Sequence, residues 1–116
     1  MVKVATLARA GATLSYLDAD GPGRAFVLVH GAGIDSSMYA PQVAALSETG
    51  HRVVAFDLRG HGASTLADGV RITASALLDD LVALLEHLRV EAPVLVGHSL
   101  GGNLAQALVR RHPHLV

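Results

Sequence analysis

Three short runs, AFVLVH (residues 25–30), RVVAFD (52–57) and APVLVGH (92–98), are almost uninterrupted in apolar residues. A strand with one wetted face alternates apolar and polar residues. Runs that do not alternate, and that turn signals keep short, have the pattern of strands covered on both faces in a parallel sheet. Parallel neighbours need a crossover between them, and the intervening segments read as helices. SSMYAPQVAALSETG offers Ser36 or Ser37 as a cap, Pro41 in the first turn and Gly50 as a stop. Between Thr73 and Val90, Leu77, Leu78, Leu81, Leu85 and Leu88 recur at helical spacing, which assigns Asp79, Asp80, Glu86 and His87 largely to the opposite, polar face. A third helix starts after Ser99, runs through Leu104 and Leu108, and ends at Arg110, Arg111 and Pro113. Those two arginines are cations at the negative end of the helix, and the proline is a breaker.

Ahead of the first run, VKVATLA and ATLSYLDA flank Arg9, Ala10 and Gly11 and read as a hairpin, after which DGPG interrupts the chain. The order strand, strand, strand, helix, strand, helix, strand, helix predicts an α/β fold. It is a mostly parallel sheet of about five strands with three main helices. Neither a linker nor a repeat divides the 116 residues, and 51% apolar residues suffice for a single core. A net charge of −1 leaves no basic patch, which argues against nucleic-acid and anionic-membrane partners. Without cysteine there is neither a disulfide framework nor a thiol nucleophile. Lys3, Thr6 and Arg9 interrupt the N-terminal apolar residues before a signal-peptide core builds. The longest stretch without charge, 92–109, carries His98, Ser99, Asn103 and Gln106 and is too polar to cross a bilayer. The expectation is a soluble, cytoplasmic protein.

The third apolar run ends in GHSLG (97–101), a G-x-S-x-G pattern at a predicted strand-to-helix junction. A serine on such a sharp turn projects its hydroxyl above the sheet, and the glycines two residues to either side prevent collisions inside the turn. The Leu100 backbone N–H then lies at a helix N-terminus, where it can face a developing oxyanion. The competing explanation is that Ser99 only caps the helix, as serine often does. The first run ends in HGAG (30–33), whose small residues let backbone N–H groups approach a substrate oxygen. Ala32 is the expected second donor, with Gly33 as the alternative.

HGAG, then DLRGHGAS (57–64), then GHSLGG (97–102) resemble, in order and spacing, the N-terminal half of an α/β-hydrolase, and the resemblance covers nearly the whole chain. It implies a serine hydrolase acting on small-molecule carboxylic esters or lactones without a cofactor. Ser99 matches the nucleophile, and the Ala32 and Leu100 amides match the oxyanion donors. In relatives that act as dehalogenases or epoxide hydrolases that position is aspartate, so Ser99 argues against those chemistries. Acyl transfer, carbon–carbon bond hydrolysis and perhydrolysis stay open. In the family the catalytic acid and histidine follow later strands, so residues 1–116 read as a partial hydrolase domain without its acid and base. The isolated chain is then expected to be inactive, and poorly soluble because its last apolar strand is left as an edge.

The seven histidines each have a quieter assignment. His30 is expected to hydrogen-bond backbone, and Asp57, Arg59 and His61 to tie down a glycine-rich turn, which in the family is mainly structural. His98 is expected to point away from the Ser99 hydroxyl, and His51 and His87 to be solvent-exposed. His112 and His114 lack zinc-motif spacing, and no metal is expected. Two other readings are carried. One is a non-catalytic, ligand-binding member of the same fold. The other is a dinucleotide-binding domain, in which GAGIDS and Asp57 imitate a GxGxxG unit and its ribose acid, with Ser36 misplaced where a glycine or alanine belongs.

Overall fold

A computed structural model describes residues 2–116. Strands β1 (Val2–Arg9) and β2 (Ala12–Ala19) form the expected antiparallel hairpin, paired from Val2 opposite Ala19 to Arg9 opposite Ala12. Gly11 takes the left-handed conformation (φ 77°) that so tight a turn requires. β3 (Gly23–Val29) and β4 (His51–Phe56) are parallel neighbours, and β6 (Val94–Gly97) lies parallel to β3 on its other side. β2 runs antiparallel to β4, giving the order β1-β2-β4-β3-β6. A sixth strand, not expected from sequence, is the two-residue β5 (Thr65–Leu66), which pairs with β2 near the hairpin turn. Two residues are too short for any periodicity to register.

The helices α1 (Ala40–Glu48), α2 (Ala74–His87) and α3 (Leu100–Arg111) follow β3, β5 and β6. α2 and α3 cover one face, where Val27, Val29, Val54 and Phe56 meet Leu77, Leu81, Leu84, Leu85, Leu104 and Leu108. The opposite face carries Leu28, Val53 and Ala55 beneath Tyr39, Val43 and Leu46. Both faces of β3 and β4 are therefore buried, which is why their sequences do not alternate. Among the described residues β6 pairs with β3 alone, and Val94, Leu95 and Val96 are half-buried. No described helix is long and apolar enough to cross a membrane.

Three local expectations need correction. Neither Ser36 nor Ser37 caps α1: the Asp35 carboxylate accepts from the Ser37 N–H and opens a 3-10 turn, Ser36–Tyr39, while α1 begins after it with no side-chain cap. His51 is half-buried, with its ring edge-on to Phe26 at 4.9 Å and its Nδ1 without a hydrogen-bond partner among the described residues, because it opens β4 rather than trailing a helix. His87 is exposed, as expected. Asp80, assigned to the polar face of α2, is completely buried. Its carboxylate accepts from Arg59 Nε (2.6 Å), Arg59 Nη2 (2.8 Å) and Arg9 Nε (3.1 Å), so two distant cations draw that edge of the helix inward.

Candidate active site

Backbone proximity builds the site. β6 ends beside β3, with Gly97 in register with Val29, and the His98 N–H donates to the Val29 carbonyl (3.1 Å). Ser99 follows at φ 55°, ψ −116°, and α3 starts at the next residue. Few non-glycine residues tolerate positive φ, and such strain costs on the order of 1–3 kcal/mol. The serine hydroxyl offsets none of that as a cap, since it makes no hydrogen bond to the helix N-terminus, and Ser99 is exposed. The capping explanation therefore fails.

Both flanking glycines are sterically required. A Cβ on Gly97 would strike the Gly101 carbonyl and the Gly102 nitrogen, and one on Gly101 would strike the Val29 and His30 carbonyls. The turn is thus pressed against the end of β3, where the HGAG loop begins. A Cβ on Gly31 would lie only 3.3 Å from Ser99 Cβ and 3.0 Å from His98 Nδ1, so any side chain here would press the two loops apart by a few tenths of an ångström. Gly33 (φ 78°) turns the chain away. Ala32 is exposed. Among the described residues, the Ala32 and Leu100 amides donate to no protein acceptor, and Ser99 Oγ has no hydrogen-bond partner.

The DLRGHGAS loop is tied down internally. Asp57 accepts from the Ser36 N–H (2.8 Å) and the Ala63 N–H (2.9 Å), and a Cβ on Gly62 would collide with its carboxylate. Ser64 Oγ donates to the Asp57 carbonyl (2.6 Å) and accepts from the Ser15 N–H (2.8 Å). Hydrogen bonding to the buried Asp80 raises the pKa of the Arg59 guanidinium above its ordinary value. These contacts match the expected structural role of the loop. They also remove the dinucleotide reading: both Asp57 oxygens are occupied by loop amides, and the helix after HGAG starts only at Ala40, away from the glycines. Three or more candidate metal ligands converge nowhere among the described residues.

His30 is buried and bonds backbone, as expected: its Nε2 accepts from the Leu58 N–H (2.9 Å), and its Nδ1 lies 2.6 Å from the Gly31 carbonyl. Burial lowers its pKa below the ordinary histidine value, outweighing the Gly31 hydrogen bond, which raises it. A groove of about 760 Å³ opens between α1 and β2, lined by Leu17, Val43, Ala44, Ala55 and Asp57. Ser99, Ala32 and Leu100 are not among its walls.

A strained serine between a strand and a helix, beside a glycine loop at the end of the neighbouring parallel strand, is the arrangement of a hydrolase-type α/β sheet. A profile of the alpha/beta hydrolase fold matches residues 24–116, and the chain belongs to that family. It is 36% identical over 106 residues to the sn-1-specific diacylglycerol lipase ABHD11 of Xenopus tropicalis, a match covering 89% of this chain and 33% of the lipase. Among solved structures it superposes on a carboxylesterase study structure from Nitrososphaera gargenis with a TM-score of 0.88 and 30% identity, covering 95% of this chain and 42% of that one. Epoxide hydrolase VrEH1 of Vigna radiata gives the same TM-score of 0.88 at 29% identity, covering 99% and 36%. The chain thus spans between a third and somewhat over two-fifths of the length of these relatives.

Proposed function

We propose that this chain carries the nucleophile and oxyanion-binding part of a serine hydrolase for small carboxylic esters or lactones. The observation that carries the reading is the exposed Ser99, held at positive φ with no capping role against Gly31 of the HGAG loop. Ser99 Oγ adds to the ester carbonyl carbon as its proton passes to a base, and the carbonyl oxygen becomes an oxyanion facing the Ala32 and Leu100 N–H groups. Collapse breaks the ester C–O bond and releases the alcohol, which takes up the proton. Water then attacks the acyl-enzyme and liberates the carboxylic acid. No cofactor enters this sequence.

The base and its acid partner lie outside residues 1–116 in this reading. Among the described residues no histidine is hydrogen-bonded to Ser99, and His30 has both ring nitrogens engaged elsewhere. The lipase and carboxylesterase relatives favour ester chemistry, and serine at position 99 favours it over epoxide opening. A cytoplasmic location belongs to the same proposal.

A fluorophosphonate probe on the intact protein is expected to label Ser99, which a purely ligand-binding member of the fold would leave unlabelled. Ser99→Ala is expected to lower kcat on the order of 10⁶-fold with the fold retained. A folded Ser99→Ala protein keeping a tenth of wild-type turnover would overturn the assignment. Residues 1–116 alone are expected to show no Ser99-dependent turnover of p-nitrophenyl acetate.

A further inference from the structure

The oxyanion donor assigned to Ala32 belongs to the same peptide unit as the Gly31 carbonyl. That peptide is trans, so its C=O and N–H point in opposite directions, and whatever holds the oxygen aims the hydrogen. The oxygen is held by His30. A backbone N–H can only donate, so the Leu58 N–H at 2.9 Å requires His30 Nε2 to be a bare acceptor. The neutral ring then carries its proton on Nδ1, and that N–H donates to the Gly31 carbonyl 2.6 Å away.

We propose that His30 is a positioning residue for the oxyanion site, a neutral Nδ1–H imidazole that fixes the direction of the Ala32 N–H by gripping the opposite end of its peptide. The inference rests on the reading of Ser99 and Ala32 given above. Two features make the grip rigid. The ring is completely buried, and its far nitrogen is anchored to a loop that is itself fixed by Asp57, Ser64 and the Arg59–Asp80 pair. Gly31 is buried between that ring and Ser99, whereas Ala32 and Gly33 are exposed and gain no comparable support. Without His30 the Gly31–Ala32 peptide is free to rotate about its flanking bonds, and a flipped peptide presents a carbonyl where the donor should be. The charged groups around the ring, His61 with its ring centre 5.3 Å away and the Asp57 and Asp35 carboxylates, act in opposite directions on its protonation, and burial keeps the neutral form favoured.

Two isosteric variants separate aiming the peptide from merely joining the loops. In His30→Asn the side-chain amide occupies the Nδ1 position and still donates to the Gly31 carbonyl, but nothing receives the Leu58 N–H. In His30→Gln the side-chain oxygen can take the Nε2 position and receive the Leu58 N–H, but the donor to Gly31 is lost. The experiment compares both with wild type and Ser99→Ala in the intact protein, by p-nitrophenyl ester kinetics and by ¹⁵N NMR of the His30 ring.

The expected ring signals are a protonated Nδ1 and an unprotonated Nε2. His30→Asn is expected to keep kcat within about tenfold of wild type. His30→Gln should lose about 10²- to 10³-fold in kcat with KM nearly unchanged, as for a donor that acts on the transition state. Equal losses in the two variants, a greater loss in Asn, or a ring protonated on Nε2 would overturn the proposal. If either variant fails to fold, the ring measurement on wild type still decides it. A Ser99→Ala protein with wild-type turnover would instead overturn the serine reading, leaving the ring measurement to judge the tautomer independently.

Discussion

Replacing Asp80 with alanine leaves the Arg59 guanidinium, whose side chain is 6% exposed, buried without its bidentate partner. Breaking a buried pair from one side costs about 3–5 kcal/mol, because the remaining charge is neither solvated nor neutralised. Arg9, at 30% exposure, can turn toward water and adds less than about 1 kcal/mol. Taking about 4 kcal/mol and a urea m-value of about 2 kcal/mol/M, the unfolding midpoint of the intact protein should fall by about 2 M. Urea unfolding followed by circular dichroism measures this directly. Asp80→Leu combined with Arg59→Met removes both charges and should recover most of the loss, because an apolar replacement of a buried pair is often neutral or stabilising. An Asp80→Ala protein destabilised by under about 1 kcal/mol, or a double variant as unstable as the single one, would refute the reasoning.

Ala32→Pro deletes the amide assigned to the oxyanion whereas Ala32→Ser keeps it, so kcat should differ by roughly 10² to 10³ between variants of matched circular dichroism; equal activities would move the role to Gly33. Gly101→Ala forces a Cβ into the Val29 and His30 carbonyls, and should lower stability and fluorophosphonate labelling together, read by thermal melting and gel fluorescence. Burial depresses the pKa of folded His30 below its unfolded value, so the native state takes up its proton less readily. Its contribution to stability is full above about pH 6.5, declines as pH falls through the interval down to the folded pKa, and is gone below it. Urea midpoints from pH 7.5 to 5 should fall less in His30→Asn than in wild type.

Much of the fold is set by local pattern. The apolar runs at 25–30, 52–57 and 92–98 announce strands because both faces of a parallel strand must be dry, and the leucines of α2 announce its inward face at helical spacing. The glycines of HGAG and GHSLG were equally legible, Gly97 and Gly101 because backbone crowding leaves no room for a Cβ, Gly31 because it packs against His98 and Ser99, and Gly33 because its φ of 78° favours glycine. Sequence alone could not reveal which polar groups become neighbours across the chain. Asp80 sits next to Asp79 and looks like half of a wetted face. Only the meeting of α2 with Arg9, 71 residues away, and Arg59, 21 residues away, turns it into a buried anchor. His30 could be recognised as a backbone partner, but its acceptor duty toward Leu58, 28 residues on, exists only once β3 and β4 end side by side. Periodicity reports which faces are covered because burial acts residue by residue. The protonation site of a ring and the worth of a charge depend on partners that only the completed packing brings within 3 Å.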